Sequence, residues 1–174
     1  MSVRRRQKSL QARRSERAEI DDPTLVLEAA LRFLEARQRS AAEVRRRLLV
    51  HGYRAEMVEG AIERLVELGM LDDAAFARAW VESRDRARPR GERALRQELR
   101  TKGIDRVVID ETIDERDVER PDADEEAGRR LLERHASALA RVPDARARRQ
   151  RAYALLARNG FDADLCAQLT RSMV

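Results

Sequence analysis

The sequence predicts an all-α protein built from three tandem three-helix repeats, and three observations carry this prediction. Ala, Leu, Arg and Glu, which all favour helices, dominate the 174 residues, whereas the 7 glycines and 4 prolines are few and lie mostly between or at the ends of periodic segments. Apolar residues recur at helical spacing in nine segments. Three glycines, Gly52, Gly103 and Gly160, then divide the chain into units that share one internal pattern.

The repeat becomes visible when the chain is aligned on these glycines, each of which is expected to end a helix in a left-handed conformation. A leucine lies four residues before each glycine, and a large apolar residue follows it immediately. Positions eight before and six after are also apolar. These four sets are Leu48, Leu99 and Leu156; Tyr53, Ile104 and Phe161; Val44, Leu95 and Ala152; Val58, Ile109 and Cys166. Self-similarity of this kind indicates tandem structural units.

The boundaries of the predicted units follow from the same pattern. A disordered basic tail precedes the three repeats, and the ranges are 1–20, 21–70, 71–117 and 118–174. The nine predicted helices lie near 23–38, 40–51, 54–68, 72–88, 90–102, 105–116, 124–140, 143–159 and 162–173. Repeats of this size stack on their neighbours. We therefore expect an elongated, curved molecule with a long surface and no deep pocket.

Helix starts in the first repeat carry recognisable capping residues. Asp22 precedes Pro23, which suits the first turn of a helix. Ser40, with Glu43 three residues later, forms a capping box. The third repeat is the most degenerate, because Thr170 stands where the first two repeats have isoleucine.

Positive charge is concentrated at the N-terminus. The chain has a formal net charge of +5, yet the first 18 residues alone hold seven basic side chains and one acid. Affinity for nucleic acid would therefore come from this tail or from local segregation of charge. The tail residues that could contact phosphates are Arg4, Arg5, Arg6, Lys8, Arg13, Arg14 and Arg17. A solvated extension is the alternative.

The second repeat holds a predicted cationic face. On the helix near 90–102, Leu95 and Leu99 share one side, and arginines occupy the other. With the residues around the preceding Pro89 turn, the candidate partner-binding set is Arg84, Arg86, Arg88, Arg90, Arg93, Arg96, Arg100 and Lys102. A stripe of one sign opposite the core suits phosphates or an acidic protein groove. The alternative is a solvated face that Glu92 and Glu98 partly neutralise.

Residues that often carry catalysis or bind metals are isolated in this chain. Asp72 and Asp73 lack a third ligand at useful spacing, so helix capping is the favoured interpretation. His51 and His135 have no second ligand at zinc spacing. Cys166 lies on an apolar stripe and is expected to be a small core residue. The sequence predicts no catalytic residue, metal or cofactor.

Two aromatic residues lie on the predicted helix near 72–88. Phe76 and Trp80 are four residues apart on an apolar stripe, so we expect both in the core; stacking on nucleic-acid bases is the alternative.

No apolar run reaches the about 18 residues of a membrane span, and the basic N-terminus lacks the apolar region of a signal peptide. A single cysteine suits a reducing compartment. We expect a cytoplasmic monomer.

One group of residues in the second repeat resembles a known family. The chain is similar there to the RecX family, bacterial regulators of the RecA recombinase, through Leu71-Asp72-Asp73, Phe76-Ala77, Trp80, Arg84, Gly91, Leu95, Leu99 and Lys102-Gly103-Ile104. A weaker extension includes Ser40, Glu43, Arg158, Gly160 and Phe161. The resemblance covers roughly residues 25–174.

This resemblance implies a fold and a function. It implies three tandem helical units that bind RecA, and especially the RecA–DNA filament. The implied action is to lodge in the filament groove and to damp ATP hydrolysis, strand exchange and co-protease activity, within DNA repair, recombination and the SOS response. No catalytic residue is implied. The alternatives are a sequence-independent DNA-binding protein that uses the tail and the arginine face, and a small nuclease or hydrolase that uses Asp72 and Asp73.

Overall fold

The structure, a computed structural model, describes residues 11–171, and the regular elements within this range are all helices. A helical segment at residues 11–18 comes first. It is followed by α1 (Pro23–Leu34), α2 (Ala41–His51), α3 (Ala55–Glu67), α4 (Asp73–Ala87), α5 (Glu92–Thr101), α6 (Arg106–Glu119), α7 (Ala123–Arg134), α8 (Ala136–Ala140), α9 (Ala145–Arg158) and α10 (Ala163–Thr170). The predicted all-α repeat fold is confirmed.

The three glycines on which the repeat was aligned end their helices in the same way. Gly52, Gly103 and Gly160 have φ angles of 101°, 77° and 87°, in the left-handed region that glycine tolerates. The N–H of the next residue then donates to the leucine carbonyl near the helix end, at 3.3 Å, 3.1 Å and 3.3 Å in chain order. This is the Schellman pattern. It satisfies carbonyl groups that a helix end would otherwise leave without a partner.

Positions that are equivalent in the repeat are buried in nearly every case. The four aligned sets are buried throughout, apart from Tyr53, which is half-buried. The polar substitution in the third repeat is also accommodated, because Thr170 is buried and its hydroxyl donates to the Cys166 carbonyl at 2.7 Å. A satisfied hydroxyl removes most of the cost of burying threonine.

The chain divides into two compact units, one reaching to Phe76 and the other starting at Ala77. The first unit packs α1, α2 and α3 around a core that contains Val26, Ala30, Val44, Leu48, Val58, Ile62 and Leu65. The second unit includes a cluster formed by Ala127, Leu131, Leu156, Phe161 and Cys166. The finer boundaries at residues 70/71 and 117/118 stay a prediction.

Two segments differ from the sequence-based expectation. The predicted helix 124–140 is two helices, because His135 leaves the helical region with φ −104° and ψ 5°. The predicted disordered tail is helical over residues 11–18. There the Arg17 guanidinium donates to the His51 carbonyl at 3.3 Å and lies 5.7 Å from the centre of the Tyr53 ring. These tertiary contacts offset ordering entropy in a segment whose composition alone favours disorder.

Helices long and apolar enough to cross a bilayer are absent from the described part of the chain.

Candidate partner-binding surface

The predicted cations lie on α4, on α5, on the turn between them and, for Lys102, just after α5. Neighbouring residues fix the backbone of the turn. The Gly91 N–H donates to the Asn159 carbonyl at 3.0 Å. The Glu92 N–H, at the start of α5, donates to the Asp124 carboxylate at 3.0 Å. Because these bonds satisfy amides at the helix start, α5 begins at a defined position within the second unit.

Gly91 is required at this turn because of close packing, since its own φ of −77° is ordinary. A Cβ atom at Gly91 would lie 2.5 Å from the carbonyl carbon of Gly160. The Arg93 N–H also donates to the Gly160 oxygen, at 3.2 Å. The end of α9 and the start of α5 are therefore in direct backbone contact, which sets where the α5 side chains project.

Three of the predicted arginines are engaged inside the unit. The Arg84 side chain is only 19% exposed, and it donates to Glu98 at 2.5 Å. Arg90 pairs with the other oxygen of Glu98 at 3.3 Å and also donates to the Asn159 side chain. These two arginines hold the turn against α5 and the end of α9.

Arg96 differs from the expected exposed row with Arg93 and Arg100. It donates to Glu92 at 2.5 Å and also to Asp110 of α6. Burial acts to lower the pKa of Arg96, but the hydrogen bonds to the two carboxylates outweigh it and raise that pKa. Arg96 therefore stays charged and joins α5 to α6.

Trp80 lies between two cations and is not a core residue. Phe76 is buried as expected, but Trp80 is only half-buried. Its indole N–H donates to Glu98 at 2.9 Å. The Arg84 guanidinium and the Lys102 ammonium lie 4.2 Å and 4.5 Å from the ring centre, which is within cation–π range. The expectation that Trp80 belongs to the core was wrong, because long polar side chains cover this ring.

Four predicted arginines remain exposed. Arg86 makes an i,i+4 pair with Glu82 at 3.2 Å, but its side chain is 76% exposed, where such pairs contribute about 0.3–0.5 kcal/mol. Arg88, Arg93 and Arg100 are exposed and have no ion-pair partner among the residues that the structure describes. The predicted set therefore separates into an inner group that holds the fold and an outer group whose charge faces solvent. We call Arg86, Arg88, Arg93 and Arg100 the outer arginines.

Arg116 of α6 is the centre of a buried ion-pair network in the second unit. Arg116 makes a bidentate pair with Asp85, with both N–O distances at 3.0 Å, and donates to Asp124 at 2.8 Å. The Arg116 and Asp85 side chains are only 5% and 4% exposed. Burial acts to lower the pKa of Arg116, but Asp85 and Asp124 raise it. The network joins α4, α6 and α7 through one guanidinium.

The basic tail is only partly described. Arg13 and Arg14 are exposed on the helical segment 11–18, whereas Arg17 turns inward to His51. Burial, helped by the charges of Arg47 and Arg17, lowers the pKa of His51. The other predicted phosphate contacts lie outside the described residues, and these are Arg4, Arg5, Arg6 and Lys8.

The candidate chemical residues have structural roles. Asp72 accepts the Ala75 N–H at 2.8 Å and so caps α4, while Asp73 accepts the Ala41 N–H at 2.9 Å and caps α2. Burial raises the pKa of Asp73, although that hydrogen bond acts against the shift. Cys166 belongs to the core, and burial raises the pKa of its thiol. Within residues 11–171, no group of three or more His, Cys, Asp or Glu side chains could hold a metal ion.

Comparison with known proteins gives consistent results. The model of the first three-helix domain of RecX matches residues 27–65, and the model of its second three-helix domain matches residues 72–113. The regulatory protein RecX of Streptomyces coelicolor is 35% identical over 141 residues, which cover 81% of this chain and 73% of that protein. The Mycobacterium avium protein of the same name is 38% identical over 141 residues, which cover 80% of this chain and 79% of that protein.

Solved structures show the same fold. The crystal structure of RecX from Lactobacillus salivarius superposes with a TM-score of 0.75 at 21% identity, and the match covers 88% of this chain and 97% of that one. A second crystal structure of a regulatory protein RecX gives a TM-score of 0.74 at 22% identity, and the match covers 86% of this chain and 71% of that one.

Proposed function

This chain belongs to the RecX family of regulatory proteins, and we propose that it binds the RecA recombinase and the RecA–DNA filament and damps their activity. The activities concerned are ATP hydrolysis, strand exchange and the co-protease function, in DNA repair and recombination. The observation that carries the proposal is the identity of 35% and 38% with regulatory proteins over 141 residues.

The outer arginines are the residues through which we expect the contact. Arg93 and Arg100 lie seven positions apart on α5, about 10 Å along a helix, and Arg86 and Arg88 lie at the end of α4 and just after it. A group of solvent-facing guanidiniums favours a negatively charged partner and speeds the encounter with it. Arg84, Arg90, Arg96 and Lys102 act indirectly, because they hold the helices that carry the outer arginines.

The proposed regulation is an effect on an equilibrium and requires no chemistry from this chain. A bound protein can favour one filament state only by its differential affinity for the two states. The roles of Asp72 and Asp73 agree with this, since each carboxylate accepts a backbone N–H at a helix start. A regulator of this kind would reduce the rate of ATP hydrolysis without consuming a substrate of its own.

The second candidate function is sequence-independent DNA binding through the basic tail and the arginine face. Arg13 and Arg14 favour it, because both are exposed and neither has an ion-pair partner within residues 11–171. This function predicts binding to bare DNA in the absence of RecA. It also predicts a steep loss of affinity with salt, with a slope of about −0.7 per phosphate contact on single strands.

One titration separates the two functions. RecA ATPase activity on single-stranded DNA is measured against increasing amounts of this protein at two salt concentrations, together with direct binding to the same DNA without RecA. Regulation of RecA predicts inhibition that persists at the salt concentration where binding to bare DNA is lost. If inhibition disappears in step with binding to bare DNA, and the Arg13→Gln/Arg14→Gln variant loses both, the DNA-binding function is the correct one.

A further inference from the structure

A second cationic surface lies in the third repeat, along an open groove between α9 and α10. The groove has a volume of about 480 Å³ and lies entirely within the second compact unit. Arg146, Arg149 and Tyr153 line one wall at positions i, i+3 and i+7 of α9, which share one face of a helix. Arg171, which directly follows α10, lines the other wall.

The charge of this groove is not neutralised by its surroundings. No acid occurs between Asp144 and Asp162, so α9 carries arginines and no carboxylate. Arg146, Arg149 and Arg171 are exposed and make no ion pair with any residue in the range 11–171. Arg84, Arg90 and Arg96 of the second repeat differ in this respect, because each of them has a carboxylate partner.

The position of Arg146 argues against a role in stability. It is the second residue of α9, whose first turn contains no acid. A cation near the positive end of a helix dipole is unfavourable. The helix start is capped by Asp144, which accepts the Ala147 N–H at 2.8 Å and needs no arginine for this. Neutral substitutions of the groove arginines should therefore leave the fold intact.

Tyr153 adds an aromatic surface to the cationic groove. Tyr153 is 37% exposed and lines the groove, so part of its side chain is accessible to a ligand there. An aromatic ring among guanidiniums offers two interactions to one ligand, since the guanidiniums bind phosphates and the ring stacks on a base. Arg146 and Tyr153 are about 10.5 Å apart along the helix, which spans about three nucleotides at about 3.4 Å per stacked base.

We infer that the groove between α9 and α10 binds single-stranded nucleic acid through Arg146, Arg149 and Arg171 on phosphates and Tyr153 on a base. A duplex hides the faces of its bases, so it could use the arginines but not the ring. An acidic polypeptide would likewise use the charges alone. The combination of ring and charges favours the single strand. This contact needs no recombinase and is separate from the outer arginines.

The first test replaces the three groove arginines in the full chain with glutamine. Binding of a labelled oligothymidylate is measured without RecA over a range of salt concentrations, for wild type and for Arg146→Gln/Arg149→Gln/Arg171→Gln. We expect affinity to fall at least about tenfold and the salt slope to become shallower by about 2, which is three contacts at about 0.7 each. The matched control, Arg32→Gln/Arg46→Gln/Arg64→Gln, removes the same charge from exposed positions of the first unit.

The second test identifies the class of ligand through Tyr153. The variant Tyr153→Phe keeps the ring and should bind the oligothymidylate as wild type does, whereas Tyr153→Leu should bind it several-fold more weakly. Binding of a duplex of equal length and of polyglutamate should not distinguish the two variants. The inference is overturned if the groove and control triple variants bind equally. It is also overturned if Tyr153→Leu binds the oligothymidylate as tightly as wild type does. In that case, tighter binding of polyglutamate than of the oligothymidylate would identify the groove as a site for an acidic protein.

Failure of this inference is distinguishable from failure of the proposed function. The binding assays contain no recombinase, and the groove substitutions leave the outer arginines unchanged. A groove that does not bind the oligothymidylate would leave RecA inhibition as expected. A protein without any effect on RecA would leave the oligothymidylate result as it stands.

Discussion

Arg116 illustrates how a single charged side chain can hold three helices together. Its guanidinium donates to Asp85 of α4 and Asp124 of α7, while Asp124 also caps the start of α5. Removing charges from water is costly, and the cost is offset only when hydrogen bonds satisfy each group. Here Asp85 receives two N–H donors from Arg116 and one from Arg120 at 3.2 Å. The network is therefore stable as a set and vulnerable to the loss of one member.

Replacing Arg116 with alanine should destabilise the fold by about 3–5 kcal/mol, because it leaves the Asp85 carboxylate buried without its main partner. Chemical unfolding followed by circular dichroism measures this change. The control is Arg120→Ala, whose side chain is 43% exposed and should cost no more than about 1 kcal/mol. The double variant Asp85→Leu/Arg116→Met should recover part of the loss. Equal effects of Arg116→Ala and Arg120→Ala would contradict this account of the network.

His51 should make the first unit sensitive to acid. Burial and the charges of Arg47 and Arg17 lower its pKa in the folded state. A lowered pKa means that the folded state binds a proton less readily than the unfolded state. The stabilising contribution is therefore present above about pH 6.5, the ordinary histidine value, and is lost as the pH falls through the lowered pKa.

Nuclear magnetic resonance titration of the His51 ring measures this directly. We expect a midpoint below that of an unstructured histidine, and we expect Arg47→Gln to raise it by removing a nearby cation. The protection factors of the α2 amides against hydrogen exchange, which are corrected for the intrinsic pH dependence of exchange, should fall over the same pH range in wild type and not in His51→Gln. A His51 midpoint at or above the ordinary value would show that the neighbouring cations and burial do not have the proposed effect.

Trp80 and Arg96 show what residue spacing does not reveal. Trp80 falls on the apolar stripe of α4, but Arg84 of the same helix and Lys102, beyond the end of α5, cover its ring. Arg96 falls on the polar side of α5, but it donates a hydrogen bond to Asp110 of α6 and is therefore not fully exposed to solvent. A helical pattern describes one helix at a time. Which polar positions face a neighbouring helix depends on packing that the pattern does not contain.

At the scale of helices, the sequence predicts where each helix ends better than it predicts which side chains make contacts between helices. Gly52, Gly103 and Gly160 were expected to end their helices because a left-handed residue is easily accommodated only by glycine, and the structure confirms all three. Asp22 and Ser40 were expected to start helices, and each accepts a backbone N–H there. These signals are local in sequence. The break between α7 and α8 at His135 has no such signal, since neither glycine nor proline is present there.

Two glycine substitutions of the same kind should have opposite effects. Gly91→Ala places a methyl group against the Gly160 backbone, which cannot move as a side chain can, and should destabilise the fold by about 1–3 kcal/mol. Gly60→Ala lies inside α3 with no atom within 4 Å of the new Cβ, and should stabilise it by about 0.4–1 kcal/mol. Thermal unfolding of the two variants provides the measurement. A stabilising Gly91→Ala would show that α5 does not need its contact with the end of α9.

The signal for the groove between α9 and α10 was present in the sequence, as a run of arginines with no acid between Asp144 and Asp162. The face near α5 has a more regular pattern, because Arg93, Arg96 and Arg100 fall on one side of a single helix. This regularity does not indicate eight exposed charges, since Glu92, Glu98 and Asp110 pair with three of the eight cations, which are Arg84, Arg90 and Arg96. Counting the acids within reach of each arginine is a better guide to exposed charge than the alignment of arginines on one helix.

At the scale of the whole molecule, the repeat and the family relation agree. Two family models match consecutive three-helix segments, 27–65 and 72–113, and the same helix-ending pattern recurs a third time at Gly160. A repeat protein can assign different surfaces to different repeats while each keeps its own core. We propose such a division here, with the outer arginines of the second repeat contacting the recombinase filament and the groove of the third repeat contacting single-stranded nucleic acid.

The most direct test of this account is inhibition of RecA ATPase by Arg93→Glu/Arg100→Glu, compared with the matched control Arg46→Glu/Arg141→Glu. All four arginines are exposed, and none of them has an ion-pair partner within residues 11–171, so both variants should fold and carry the same net charge. The account predicts that the first variant needs at least about tenfold more protein for half-maximal inhibition, equivalent to about 1.4 kcal/mol, while the control inhibits as wild type does. Equal inhibition by both variants would contradict it.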